Sequence, residues 1–252
     1  MNDVKRINRQ FLGTLITFIL FLLAAVSAVI VTNIFMQDEA WQYLVYFVIM
    51  ILVLLVVIMF KNKFDQLTNI SYIIKIRSNP GEPLPMHHTK LWDRYPFFLK
   101  EKGFTQYAFD QKHMIFYRVI QDQIKKIFRK HMIEVVVLLD PHCDGFYLEQ
   151  VDNEIQQIQQ KHLKERIKMD RMLITQIKPI QDLSDKTKEE IKEIIFLKTK
   201  DLSLFLRSNT TIISTINIGL YQPTSTAVML YSETYSPSLY YTHHINEIKS
   251  MI

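Results

Sequence analysis

Cysteine and glycine are scarce in this chain of 252 residues. Cys143 is the single cysteine, so no disulfide can form within the chain, and a reducing compartment is favoured. The five glycines form no phosphate-binding glycine-rich loop, and the nucleophile-elbow, HExxH and CxxC motifs are also missing. Nucleotide hydrolysis by a familiar motif is therefore not expected, and no cofactor is predicted.

Charge is missing from two long segments near the N-terminus, residues 11–31 and 40–60. Each segment holds 21 residues dominated by Leu, Ile, Val, Phe and Ala. At a helical rise of about 1.5 Å per residue, each is long enough to cross the hydrocarbon layer of about 30 Å. We predict a short N-terminal tail at residues 1–10 and two transmembrane helices joined by an extracytoplasmic turn at residues 32–39.

The distribution of basic residues predicts the orientation of this pair. Basic side chains precede the first apolar segment and follow the second, whereas residues 32–39 contain no Lys or Arg. These flanking basic residues are Lys5, Arg6, Arg9, Lys61 and Lys63. Because cytoplasmic loops carry the excess of positive charge, both termini are predicted to lie on the cytoplasmic side of the cell membrane.

Two other interpretations of the apolar segments are possible. The first segment could be a cleaved signal peptide, but it exceeds the usual apolar length of about 7–15 residues, and no clear small-x-small cleavage site precedes Asn33. Both segments could instead be core helices of a soluble protein, but neither has a polar face. The transmembrane interpretation is therefore favoured over both.

The remaining chain predicts a cytoplasmic α+β domain with a mixed or antiparallel sheet and flanking helices. Residues 61–88 are interpreted as a juxtamembrane helix followed by a proline-rich linker at 78–85, and residues 89–252 as the domain. Periodicity predicts helices at 96–102 (ending at Gly103), 120–131, 153–169, 185–195 (capped by Ser184 or Asp185) and 244–251. It predicts strands at 104–109, 113–119, 134–139, 172–177, 211–218 and 227–231.

One cluster of polar residues follows the predicted buried strand at 134–139. Asp140, His142 and Asp144 are candidate catalytic residues, and His142, Cys143 and Asp144 are candidate metal ligands, since zinc accepts oxygen, nitrogen and sulfur donors. The alternative is a structural turn, in which proline fixes φ, Asp140 caps the turn and Gly145 adopts a positive φ. The turn is the favoured interpretation.

Two further patterns suggest sites on weaker grounds. The pairs His87-His88 and His243-His244 could form a metal or pH-sensing site, although neighbouring histidines point apart on a helix or strand. Gln176-Ile177-Lys178 resembles the last acid-x-Lys step of a metal-dependent nuclease core, with glutamine in place of the acid. This departure removes the metal-binding carboxylate on which such a core depends.

Basic residues on predicted helices suggest contact with anionic lipid headgroups. The candidates are Lys61, Lys63, Lys125, Lys126, Arg129 and Lys130. A solvated helix face is the alternative. Aromatic residues do not interleave with the basic ones, so nucleic acid is not a predicted partner. The predicted partners are the lipid bilayer and either a protein or a second copy of the chain.

These patterns favour a two-pass membrane protein whose cytoplasmic domain is a protein-interaction, scaffold or regulatory module. The alternative is a membrane-tethered metal-dependent hydrolase or nuclease that uses the turn at residues 140–144. Transport ranks last, because neither apolar segment carries an ionisable residue. Tyrosines concentrated near the C-terminus suit a sheet core or an interface, with the core favoured.

Overall fold

The computed structural model describes residues 2–86, 94–124, 130–165, 167, 169–193, 195–201 and 209–252. The chain divides into two compact units, the first ending at Ser78 and the second spanning Asn79–Ile252. The first unit is helical, and the second contains all of the described strands. The protein is therefore α+β, with its two longest helices in the N-terminal unit.

The first unit is a hairpin of two helices. They are α1 (Asn2–Phe35) and α2 (Glu39–Ser78). They run antiparallel, because Phe11 packs on Phe64 and Phe18 packs on Phe60, each with ring centroids 5.1 Å apart. Large apolar side chains are exposed along both helices. By length and composition, both helices are long and apolar enough to cross a membrane.

The second unit is built on one mixed sheet. Its described strands are β1 (Leu84–Pro85), β2 (Thr105–Phe109), β3 (His113–Gln121), β4 (His131–Leu139), β5 (Met169–Ile180), β6 (Ile195–Asp201), β7 (Asn209–Tyr221) and β8 (Thr226–Met229). Its described helices are α3 (Tyr95–Glu101), α4 (Glu149–Lys164), α5 (Asp185–Ile191) and α6 (Leu239–Met251). Seven strands lie in the order β1-β8-β7-β5-β4-β3-β2, and β6 pairs with the first half of β7.

The centre of the sheet is parallel, and its flanks are antiparallel. β4, β5 and β7 run parallel, which requires crossover connections, and α4 and α5 lie in them. The carboxyl ends of these three strands consequently meet at one edge of the sheet, where the segments after Leu139 and Ile180 begin. Ligand sites of parallel sheets are commonly found at such an edge.

Helices cover both faces of the sheet. On one face, Ile158 of α4 and Ile191 of α5 belong to a core with Val135 and Ile174. On the other face, Tyr240 of α6 packs in a cluster with strand side chains of β4 and β5. Burial on two faces explains why residues 135–139 of β4 are a continuous apolar run.

Several predicted elements are confirmed. The chain beyond residue 60 is helical, since α2 continues to Ser78, and the predicted hairpin of β2 and β3 forms. α3 ends just before Gly103, whose φ of 83° is the left-handed conformation that glycine adopts most easily after a helix. Ser184 caps α5, because its Oγ accepts a hydrogen bond from the backbone N–H of Thr187 at 3.2 Å.

Three helix predictions are wrong at their ends. Ile120 belongs to β3 and His131 begins β4, because the two strands pair along nine positions and strand pairing overrides the local helical spacing; residues 125–129 lie outside the described residues. α4 begins earlier than predicted, at Glu149, and ends at Lys164, since Met169 begins β5. Ile195 begins β6 instead of extending α5.

The predicted linker contributes to the sheet. Leu84 and Pro85 pair with Ala227 and Thr226 of β8 at the edge of the sheet, where the missing N–H of proline breaks no ladder in the interior. The second compact unit includes Asn79, although the predicted start of the domain at residue 89 lies outside the described residues. The chain therefore joins the domain directly after α2.

Candidate functional site

The segment after β4 forms the structural turn that is the favoured interpretation of the sequence. Asp140 Oδ1 accepts a hydrogen bond from the backbone N–H of His142 at 2.8 Å, and the carbonyl oxygen of Asp140 accepts one from the N–H of Cys143 at 3.1 Å. Gly145 has a φ of 82°, which favours glycine. One carboxylate oxygen of Asp140 is thus used to hold the backbone.

Lys178 joins this turn to β5. Its ammonium donates to the carbonyl oxygens of Cys143 and Gly145, the latter at 3.4 Å, and the side chain is buried. The thiol of Cys143, half-buried, donates to the carbonyl oxygen of Lys112 at 3.3 Å. The lysine of the Gln176-Ile177-Lys178 pattern therefore satisfies backbone carbonyls, while Gln176 lies on the same sheet face nearby.

The candidate metal ligands that the structure describes do not converge on a common point. Within the described residues, no three His, Cys, Asp or Glu side chains come close enough to hold a metal ion. His142 and Asp144 are both exposed on the turn. His87 and His88 lie outside the described residues.

The second histidine pair contacts two neighbouring strands from α6. His243 Nε2 lies 2.8 Å from Glu134 Oε1 on β4, and His244 Nε2 lies 2.9 Å from Thr175 Oγ1 on β5. The two side chains point to different partners, as expected of adjacent positions on a helix. They fix α6 against the sheet instead of sharing a ligand.

Glu134 is the centre of a charged network under α6. Arg118 Nε donates to Glu134 Oε2 at 2.6 Å, and Arg118 Nη2 donates to Glu247 Oε2 at 2.6 Å. The guanidinium also donates to the carbonyl oxygen of Lys102 at 3.0 Å and lies over the ring of Phe104, 4.5 Å from its centroid. All three guanidinium nitrogens of this half-buried cation donate a hydrogen bond, so the network holds β3, β4 and α6 together.

Different environments shift the pKa values of the two neighbouring histidines in opposite directions. The hydrogen bond to Glu134 raises the pKa of His243, and burial only partly offsets it. Burial lowers the pKa of His244 to about 4. Burial alone would raise the pKa of Glu134, but the hydrogen bonds and charges of His243 and Arg118 outweigh it and leave that pKa below its usual value. Around neutral pH, His244 is thus held neutral beside an ion-paired neighbour.

A cavity of about 590 Å³ lies on the other face of the sheet, between α4 and α5, and we call it the polar cavity. Four carboxylates line it: Asp144, Asp152, Glu190 and Glu193. Glutamines of α4 and the apolar side chains of Ile155, Ile174 and Ile213 complete much of the wall. Its volume is that of a site for a small molecule.

Buried polar side chains form the floor of the polar cavity. Gln176 of β5 and Asn217 of β7 are paired in register on adjacent parallel strands, with Thr215 beside them. Asn217 Nδ2 donates to the carbonyl oxygen of Glu190 at 2.8 Å, which fixes the orientation of its amide. Its Oδ1 is buried and has no hydrogen-bond partner among the described residues.

The candidate lipid contacts are only partly described. Lys61 and Lys63 are exposed on α2. Lys130 precedes β4, and its carbonyl oxygen accepts a hydrogen bond from the N–H of Asp122 at 2.8 Å. Lys125, Lys126 and Arg129 lie outside the described residues.

Sequence reasoning missed both the charged network and the polar cavity. Glu134 is the one charged residue in an otherwise apolar strand, and this is a local signal that a partner must exist. Asn217 likewise lies between two apolar residues, Ile216 and Ile218, of β7. Their partners, Arg118 and Glu190, are distant in the chain and become neighbours only through the sheet order.

The tyrosine-rich segment contributes mainly to the core. Tyr231, Tyr240 and Tyr241 are buried, as the favoured interpretation predicted. The hydroxyl of Tyr240 donates to Asp122 Oδ2, and that of Tyr231 donates to the carbonyl oxygen of Glu82 at 2.8 Å.

Comparison with known proteins finds no similar protein. The chain matches no protein-family model, no curated protein and no solved structure.

Proposed function

We propose that this chain is a two-pass membrane protein whose hairpin anchors an interaction, scaffold or regulatory module on the cytoplasmic side. The observation that carries the proposal is the exposed apolar surface of α1 and α2. Side chains such as Leu20, Leu54 and Ile58 have no polar face around them, and a bilayer covers such a surface best. The basic residues that flank the hairpin support a cytoplasmic position for both termini.

The module role is supported by ionisable side chains that make structural contacts within the domain. Asp140 and Lys178 hold the turn after β4, and Glu134 and Arg118 hold α6 on the sheet. Each of these groups stabilises the fold. By contrast, two large apolar side chains, Phe97 and Phe109, are exposed on the domain surface. Phe109 ends β2, the last strand in the order of the described sheet, and such edges are used to bind other chains.

The module role is tested by site-specific photo-crosslinking of the full chain in cells. A photoreactive phenylalanine replaces Phe109, which is 73% exposed, and a control replaces Lys186, whose side chain is 77% exposed. We expect one discrete adduct from position 109 and none from position 186. An adduct of twice the chain mass identifies a second copy as partner, and another discrete mass identifies a different protein. Equal labelling from both positions, or no adduct from either, contradicts the module role.

A further inference from the structure

We propose that the polar cavity binds an organic cation in which a primary ammonium or guanidinium group is attached to an apolar body. This adds a ligand to the module proposed above. It depends only on the domain, so its test can fail without deciding the membrane arrangement. The proposal rests on the charge of the walls, the unpaired acceptor in the floor and the apolar side chains between them.

The charge of the cavity wall sets the sign of the ligand. Four carboxylates line the cavity, and the described lining residues include no Lys, Arg or His. Lys186 Nζ approaches Glu190 Oε1 only to 3.9 Å, and its side chain is 77% exposed, so it screens that carboxylate weakly. Lys178 lies near the turn, but its ammonium is directed to the carbonyl oxygens of Cys143 and Gly145. A phosphate or carboxylate ligand would meet repulsion here.

The floor requires the ligand to donate a hydrogen bond. Eight buried side-chain polar atoms of the described residues lack a partner, and Asn217 Oδ1 is the one that belongs to a residue lining this cavity. Asn217 is only 5% exposed, so a side-chain oxygen without a hydrogen bond there lowers the free energy of unfolding. Because Nδ2 is held by the Glu190 carbonyl, Oδ1 cannot exchange places with it. This atom has almost no accessible surface, so a ligand N–H supplies the missing donor once the neighbouring side chains of the floor shift.

The shape and the apolar wall add a requirement for a body beyond the charged group. Ile155, Ile174 and Ile213 line the cavity, and its volume of about 590 Å³ exceeds what an ammonium ion fills. An alkyl chain can lie against these side chains while its cationic end reaches the carboxylates. Agmatine, which carries an amine and a guanidinium on a four-carbon chain, combines all three features.

The test is calorimetric titration of the full chain in detergent micelles. We expect agmatine to bind with a Kd below about 1 mM and butyltrimethylammonium, a cation without N–H donors, to bind at least about tenfold more weakly. L-glutamate, as the anionic control, should not bind. No agmatine binding at ten times that concentration, or equal binding of the donor-free cation or of glutamate, overturns the proposal.

Matched variants on α5 locate the site. Glu190→Gln removes a cavity carboxylate and should weaken agmatine binding about tenfold, the effect of losing one hydrogen bond to a charged group. Glu189→Gln changes the neighbouring residue, whose side chain is 67% exposed and which does not line the cavity, and should leave the Kd unchanged. If Glu190→Gln unfolds the domain, Asp152→Asn on α4 provides the same comparison. Equal effects of the cavity and control variants overturn the assignment.

Discussion

Glu134 Oε1 and His243 Nε2 lie 2.8 Å apart, and this contact joins a buried strand at the centre of the sheet to the C-terminal helix. His244, the next residue, is completely buried and bonds to Thr175 on the adjacent strand. Because one histidine is favoured in its charged form and the other in its neutral form, α6 is docked by two groups with opposite pH responses.

The first prediction is that the free energy of unfolding of the domain is greatest near pH 6.5. His243 has a raised pKa, so the folded state binds more protons above pH 6.5 and stability falls as the pH rises through that pKa. His244 has a pKa of about 4 in the folded state, so only the unfolded state takes up its proton between pH 6.5 and 4, and stability falls as the pH drops. Glu134 adds to the acid loss, because its pKa is lowered in the folded state and its stabilising contribution is lost as the pH falls through its usual pKa and then its folded-state pKa.

Urea unfolding of the full chain, followed by the sheet signal in circular dichroism from pH 4 to 9, measures this dependence. His244→Gln should flatten the acid limb, which the shift of His244 makes on the order of 3 kcal/mol. His243→Gln should flatten the alkaline limb instead. An unchanged profile in both variants would show that the two side chains do not set the pH response.

The second prediction concerns the charged network. Arg118→Met leaves the Glu134 carboxylate buried with one partner, so unfolding should require about 3 kcal/mol less. The double variant Arg118→Met with Glu134→Leu should recover part of that loss, because both charges are then replaced by apolar groups. Glu247→Gln, at a more exposed carboxylate, should cost about 1 kcal/mol or less. Urea midpoints rank the three variants, and a double variant less stable than Arg118→Met would contradict the ion-pair account.

The third prediction separates a structural from a metal-binding role of Asp140. Asp140→Asn keeps an oxygen acceptor for the N–H of His142 and should change stability little, whereas Asp140→Ala removes it and should cost about 1 kcal/mol. If Asp140 bound a metal ion in a hydrolase, the asparagine variant would instead lose metal and activity. Thermal melts with and without added zinc distinguish these outcomes.

The fourth prediction tests the junction between β1 and the C-terminal segment. Gly81 donates its N–H to the carbonyl oxygen of Tyr231 at 2.7 Å, and a Cβ at Gly81 would overlap the Tyr231 ring. Gly81→Ala should therefore destabilise the domain by about 2 kcal/mol. Gly103→Ala, at a positive φ with open space around it, should cost about 1 kcal/mol from backbone strain alone. Equal losses in the two variants would show that crowding by Tyr231 is unimportant.

Local chemistry made some parts of the fold predictable. Gly103 and Ser184 each end or cap a helix through backbone geometry and hydrogen bonds to residues nearby in the chain. The end of α3 and the start of α5 were therefore predictable from the sequence. The apolar run of β4 marks a strand buried on both faces for the same reason. These features depend on residue type and short spacing alone.

Long-range pairing could not be predicted in the same way. Ile120 has helical spacing to its neighbours, yet it pairs with Met132 across β3 and β4. Gln176 and Asn217 become the floor of the polar cavity because β5 and β7 are adjacent, although β6 lies between them in the chain. The order of the strands depends on the burial of all strands together, so it cannot be predicted from the residues of any one strand.

Labelling of single cysteines in intact cells tests the proposed membrane arrangement most directly. In a Cys143→Ser background, Gln37→Cys places a thiol between α1 and α2, and Glu189→Cys places one on the exposed surface of α5. A two-pass anchor with a cytoplasmic domain predicts that a membrane-impermeant maleimide labels position 37 in intact cells and position 189 only after permeabilisation. Labelling of position 189 in intact cells, or protection of position 37 until permeabilisation, would contradict a two-pass anchor with a cytoplasmic domain.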